Sequence, residues 1–191
     1  VGPKLFTTFF ESALAEVPSI AIKMHSLGAS EDTSEVLSGK YHACILPRET
    51  RPDRKLDVRP LFRERFVLGC SADHPLAASD IVRGEDLLEF PFVDRLKCEF
   101  REQILDHFAR REVLMRPRFR SDRDDWVQRV VAEGEAICIL PERSATAQGL
   151  VTRPIDGFVL EREVVIATVS GSTAPVEIRK IAQLAARYAW N

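Results

Sequence analysis

No apolar run in this sequence approaches the roughly 20 residues that a membrane-spanning helix needs, so no transmembrane segment is expected. No signal-peptide pattern opens the chain at Val1. An excess of one charge is lacking too. The 27 Lys and Arg against 29 Asp and Glu leave a formal net charge of −2, with none of the electrostatic footprint of a nucleic-acid-binding domain. The basic cluster Arg116, Arg118, Arg120 and Arg123 is local and reads as a solvated strand face. The 4 cysteines form no Cys-x-x-Cys pair. Cys44, Cys70 and Cys138 lie in apolar, strand-like runs and read as buried thiols of a reducing compartment. Neither the cysteines nor His25, His42, His74 and His107 fall at ligand spacing, so no metal site is expected. Catalytic signatures are missing as well: no Gly-x-Ser-x-Gly elbow, no phosphate loop, no Gly-x-Gly-x-x-Gly and no His-Glu-x-x-His. Neither enzymatic activity nor a cofactor is expected.

What is present is ordinary globular material. With 45% apolar and 29% charged residues over 191 positions, the chain suits one large domain or two lobes of about 95 residues each. Its most informative stretch runs from Ser121 to Glu142. Ser121 or Asp122 is a natural N-cap, and Asp124 and Asp125 load the first helical turn, where the helix dipole favours negative charge. Trp126, Val127, Val130 and Val131 recur at helical spacing, and Gly134 is expected to end the helix at positive φ. Ala136 to Leu140 then reads as a short buried strand stopped by Pro141. Helix feeding into buried strand is half of a parallel βαβ unit, whose sheets hold ligands at strand ends.

The same alternation recurs along the chain. Leu5 to Val17 carries a helical stripe closed by Pro18, and Ile20, Ile22 and Met24 alternate like a strand. Ser30, Asp32 and Thr33 offer caps for a short helix ended by Gly39, and Ala43 to Leu46 is a compact strand. Leu61 to Ser71 carries two strand-like halves. Gly84 to Leu88 suggests a short helix, Pro91 to Asp94 a strand, Cys98 to Arg111 a helix and Arg116 to Arg120 a strand. Leu150 to Ile155 and Val164 to Val169 are further strands, and Pro175 opens a last helix through Ile181 and Ala185. Two α/β series, the second inserted before a last strand and helix, predict two Rossmann-like lobes joined by two crossover strands. A cleft between such lobes, lined by helix N-termini, suits a small anion.

Glu64-Arg65-Phe66-Val67-Leu68 leading to His74-Pro75-Leu76-Ala77, then Asp86-Leu87-Leu88 and Pro91-Phe92-Val93, resembles the middle of the regulatory domain of LysR-type bacterial transcription factors. Val130-Val131-Ala132-Glu133-Gly134-Glu135-Ala136-Ile137-Cys138-Ile139-Leu140-Pro141-Glu142 resembles that family's most recognisable segment, with Ala136 where a second glycine is usual. The order and spacing of these pieces cover nearly the whole chain. The resemblance implies a type 2 periplasmic-binding-protein-like α/β fold, with lobe one at 1–69 plus 166–191 and lobe two at 70–165. It implies a small-molecule effector, in our reading an organic anion, in the interlobe cleft. It also implies a homodimer, a possible tetramer at full length, and DNA binding only through an N-terminal domain that this chain lacks.

The family's cleft is built from four places, which map here onto Gly2, Pro3 and Lys4; Ala29 and Ser30; Asp94, Arg95, Lys97 and Cys98; and Ser121 and Asp122. Many relatives place a threonine or serine where this chain has Ala29, with Ser30 beside it. Arg95 is the preferred charged contact, because a planar guanidinium binds a carboxylate bidentately; its alternative is a surface or interlobe ion pair. Cys98 is expected to begin a helix near Arg95, Lys97 and Arg101, which would lower a thiol pKa. Peroxide-sensing relatives place a reactive cysteine similarly. Here one extra residue precedes the arginine, no resolving cysteine follows, and Glu99 and Glu102 oppose a thiolate. The leading expectation is therefore a cytoplasmic effector-binding domain of a transcription regulator. An extracytoplasmic solute-binding protein is the alternative. The aromatic bulk of Phe6, Phe9 and Phe10 on the first helix suggests a surface for a second subunit.

Overall fold

A computed structural model describes residues 3–26, 33–48, 53–171 and 174–190. The chain divides into two compact units, one of residues 1–64 and 162–191, the other of residues 65–161. These divisions fall five residues before the expected 69 and four before the expected 165.

The first unit is built from α1 (Pro3–Glu16), α2 (Ser34–Leu37), β1 (Ala43–Pro47), the first part of β2 (Leu56–Ser71), nearly all of β7 (Glu161–Val169) and α5 (Val176–Arg187). β1 runs antiparallel to β7 in the register Ala43↔Thr168 to Pro47↔Val164, and β7 lies between β1 and β2. The helical stripe of α1 delivers Phe6, Phe9 and Ala13, joined by Val17 just past its end, to a core shared with Phe62, Val164, Ile166, Ile181, Ala182 and Ala185. Trp190 closes it. Its ring centroid lies 4.8 Å from Phe6, 5.1 Å from Phe9 and 5.6 Å from Phe62, and its Nε1 donates to the Ala185 carbonyl at 2.9 Å. Phe6 and Phe9 thus spend their bulk inside this unit rather than on a partner surface, because Trp190 and Phe62 leave them no outward face.

The second unit carries β3 (Phe92–Arg95), α3 (Arg101–Ala109), β4 (Pro117–Ser121), α4 (Asp124–Ala132), β5 (Cys138–Pro141) and β6 (Leu150–Arg153), with the rest of β2. β3 and β4 pair in parallel. β3 also meets the segment entering β5 in parallel, Val93 N donating to the Ile137 carbonyl at 2.8 Å and Ile137 N to the Pro91 carbonyl at 2.9 Å. β5 and β6 each pair antiparallel with β2. Strand alternation sorts the two faces. Phe92, Ile137 and Ile139 join Ile104 and Phe108 of α3, while Val93, Cys138 and Leu140 join Val127 and Val131 of α4. Gly69 of β2 is required by close approach: a Cβ there would stand 2.6 Å from Leu140 Cδ2.

Several local expectations are corrected. Residues 20–26 form no strand, and Met24 is 66% exposed, so the alternation Ile20, Ile22, Met24 marks no buried face. Leu61 to Ser71 is not two halves but the end of one 16-residue strand. The expected helix from Gly84 is a 3-10 turn over Glu85–Glu89. Gly134 does not adopt positive φ; Glu133 ends α4, and a Cβ on Gly134 would come within 3.2 Å of the Val130 carbonyl oxygen. Neither Ser121 nor Asp122 caps α4, whose N-cap residue is Arg123. Cys98 does not begin a helix: it lies in a turn before α3, whose N-cap is Phe100.

Candidate functional site

β3 and β4 run in parallel and end together, with Arg95 opposite Ser121. Carboxyl ends of parallel strands are where α/β sheets hold ligands, because the chain departs there into loops and helix starts. This register brings together Asp94, Arg95, Lys97, Cys98, Ser121 and Asp122, six of the residues expected from sequence. Pro3 and Lys4 lie in the first turn of α1, in the other unit. Gly2, Ala29 and Ser30 lie outside the described residues.

The charges at these strand ends are arranged in pairs. Arg95 donates from Nε to Asp124 Oδ1 at 2.7 Å and from Nη2 to Oδ2 at 2.9 Å, a bidentate fork on the first residue of α4. Its Nη1 reaches the Ile139 carbonyl at a long 3.5 Å. The Arg95 side chain is 10% exposed and that of Asp124 46%. Burial works against the Arg95 charge, but the Asp124 bonds outweigh it and hold the guanidinium pKa above its ordinary value. Asp94, pointing to the opposite face, is buried and accepts from Arg101 Nε at 2.8 Å and Nη2 at 2.6 Å, with Arg120 Nε at 3.6 Å. Those Asp94 bonds raise the Arg101 pKa. Lys97 and Asp122 form an exposed pair at 3.5 Å.

Cys98 is buried beside Asp94, Arg95, Arg101 and Ile139, around a cavity of about 10 Å³, no more than the room for one water. Ser121 Oγ accepts from Arg123 N at 3.0 Å, and its carbonyl accepts from Leu96 N at 2.9 Å. The serine therefore shapes the turn into α4. Burial raises the pKa of Cys70 and pushes that of Cys138 up to about 12, so both stay protonated thiols at neutral pH. Among the described residues no group of three or more His, Cys, Asp or Glu could hold a metal ion, and no helix is long and apolar enough to cross a membrane.

Sequence reasoning missed Asp124 as the partner of Arg95 and Arg101 as the partner of Asp94. Asp124 was legible only as an acid in a first helical turn. Nothing in a sequence separation of 29 residues announces a bidentate pair.

Two α/β units connected by β2 and by the chain entering β7 define a periplasmic-binding-protein-like domain of type 2. The model of the LysR substrate binding domain family matches residues 1–190, and the chain belongs to that family. The family consists of transcription regulators rather than enzymes.

A probable nitrogen assimilation transcriptional activator from Synechocystis is 26% identical over 144 residues. The match takes in 73% of this chain and 44% of that protein, so the chain spans less than half the length of this curated relative. The regulatory domain of Synechocystis CcmR in complex with 2-PG is similar at a TM-score of 0.77 and 19% identity, over 96% of this chain and 90% of that one. The reduced OxyR regulatory domain from Pseudomonas aeruginosa gives a TM-score of 0.76 at 22% identity, over 97% and 92%.

Proposed function

We propose that this effector-binding domain takes a small organic anion at the carboxyl ends of β3 and β4 and so controls DNA binding by a longer regulator. One observation carries this reading: a bidentate arginine that is nearly buried while its carboxylate partner is half exposed. A buried guanidinium left alone is costly, but exchanging one carboxylate for another keeps it compensated. An effector carboxylate can therefore take the place of Asp124 on Arg95, while Asp124 turns into solvent at little cost. Lys97 and the hydroxyl of Ser121 stand beside the same strand ends. The CcmR regulatory domain, solved in complex with 2-PG, supports a small ligand in this fold. We further propose that the protein works in the cytoplasm as a homodimer, with a tetramer at full length and DNA contacts made through a separate N-terminal domain.

A thermal-shift screen of aromatic and aliphatic carboxylates, each beside its uncharged amide, tests the anion. A ligand at about 100 times its Kd adds about 2.7 kcal/mol to stability. An acid that stabilises while its amide does not is the expected result. Equal stabilisation by the amide would remove the charge from the argument.

A further inference from the structure

A hollow of about 560 Å³ opens at the amino-terminal ends of β3 and β4, where Pro91 and Arg116 enter the strands. It lies at the opposite ends of these strands from Arg95 and Ser121, and its size is that of pockets that enclose small molecules. Leu87 forms part of its wall, with Met115 and the more exposed Leu88 and Leu114, at 52% and 59%. Arg116, just before β4, and Arg118 within it both line the hollow. Further along β4, Arg120 reaches Asp94. Arg116, Arg118 and Glu112 make no ion pair among the described residues.

Glu112 supplies a second, independent observation. It is the one non-glycine residue at positive φ among the described residues, at +64°. It follows α3 in a closure where Val113 N donates to the Phe108 carbonyl and Glu112 N to the Ala109 carbonyl, both at 3.0 Å. Glycine fills that position without a steric cost. A carboxylate-bearing residue stands there instead, on the wall of the hollow, and strained residues of this kind cluster at ligand sites.

We propose that this hollow binds an apolar α-amino acid as its zwitterion. Arg116 and Arg118 take the carboxylate, Glu112 takes the ammonium group, and Leu88, Leu114 and Met115 cover the side chain. The lining carries both signs, Glu89 and Glu112 against Arg116 and Arg118, and a zwitterion meets both. The proposal is independent of the strand-end site and of its effector.

The chain has 2 methionines, Met24 and Met115, so methyl-labelled methionine gives one reporter in the wall and one reference in the other unit. Titration with L-phenylalanine or L-leucine is expected to move the Met115 resonance saturably and leave Met24 in place. N-acetyl-L-phenylalanine and L-phenylalaninamide each lack one charge and should bind roughly 10- to 150-fold more weakly, the span of a lost charge-assisted bond. The double variant Arg116→Ala, Arg118→Ala should abolish saturation. Glu112→Gly, which the backbone accepts, should bind the N-acetyl and free amino acids equally. No saturable Met115 shift with either amino acid, equal affinity of the wild type for the free, acetylated and amidated forms, or saturation undiminished in the arginine double variant would each overturn the proposal.

Discussion

Arg162 and Glu64 form a buried ion pair at the crossover of the chain, Arg162 Nε donating to Glu64 Oε1 at 2.8 Å and Nη2 standing 2.7 Å from the same oxygen. Their side chains are 4% and 0% exposed. Glu64 is the last residue of the first unit before β2 enters the second, and Arg162 is the first residue after the return. Two residues beyond Glu64, Phe66 N donates to the Leu160 carbonyl at 2.8 Å, so backbone bonding continues past the pair. The pair holds the two crossing segments in register on the side of the first unit.

Removing one member should be far worse than removing both. Glu64→Ala removes the carboxylate facing a buried guanidinium and is expected to cost about 3–5 kcal/mol. The double variant Glu64→Leu, Arg162→Met replaces the pair by apolar side chains and should recover most of that loss. Urea unfolding of the two proteins measures the difference. A double variant as unstable as Glu64→Ala would assign the loss to packing rather than charge.

The proposed site makes Asp124 a competitor of the effector carboxylate for Arg95. Asp124→Asn should therefore tighten effector binding, whereas Arg95→Ala should weaken it by roughly 10- to 150-fold, the equivalent of about 1.5–3 kcal/mol. Arg95 also ties the end of β3 to the start of α4. Its bidentate bond to Asp124 predicts a lower melting temperature as well. Calorimetry with an acid found in the thermal-shift screen decides the matter. Weaker binding in Asp124→Asn would make Asp124 a partner of the effector rather than its competitor.

His74 makes stability depend on pH. Its Nδ1 accepts from Leu76 N at 3.1 Å and its Nε2 lies 3.2 Å from the Glu135 carbonyl, an arrangement that the neutral ring satisfies with the proton on Nε2. Burial lowers its pKa, more than the Glu135 carbonyl raises it. His107, beside Phe108 and Phe158, is lowered by burial and then by Arg111. With folded pKa values below the unfolded value of about 6.5, the unfolded chain binds more protons. Stability is then full above that pH and falls as the pH drops toward the folded values, by at most about 1.4 kcal/mol per pH unit per histidine. His74→Asn keeps an acceptor for Leu76 N without titrating, and denaturation at pH 7.5 and 5.5 should show a smaller loss than in the wild type. An unchanged loss would clear His74 of the effect.

Gln128 is a buried polar residue on α4 that secures the chain after β5. Its Nε2 donates to the Ser144 carbonyl at 2.8 Å, and its Oε1 accepts from Thr146 N at 2.8 Å and Ala147 N at 3.1 Å. Gln128→Ala removes three hydrogen bonds to backbone groups and should cost about 1–3 kcal/mol. Amide exchange should rise first at Thr146 and Ala147. Exchange unchanged at those two amides would show that other contacts hold the segment.

The family resemblance and the local chemistry were legible in the sequence to different depths. Val127, Val130 and Val131 at helical spacing, followed by Ala136 to Leu140, placed a helix and a buried strand correctly because both signals lie within a few residues of their cause. The end of that helix was misread, since Gly134 meets the Val130 carbonyl rather than turning at positive φ. Ile20, Ile22 and Met24 carried the alternation of a strand without forming one.

By itself, then, the sequence determined the alternation of helices and strands, the family and the stretches that border the ends of β3 and β4. Periodicity, apolar runs and motif spacing are local properties that survive without coordinates. Only the tertiary structure decided which charge meets which: Arg95 with Asp124, Asp94 with Arg101, Glu64 with Arg162. It also brought Glu112, Arg116 and Arg118 to one hollow. The physical reason is that the strength of an ion pair depends on distance and burial, and both are set by strand register and helix packing between residues far apart along the chain.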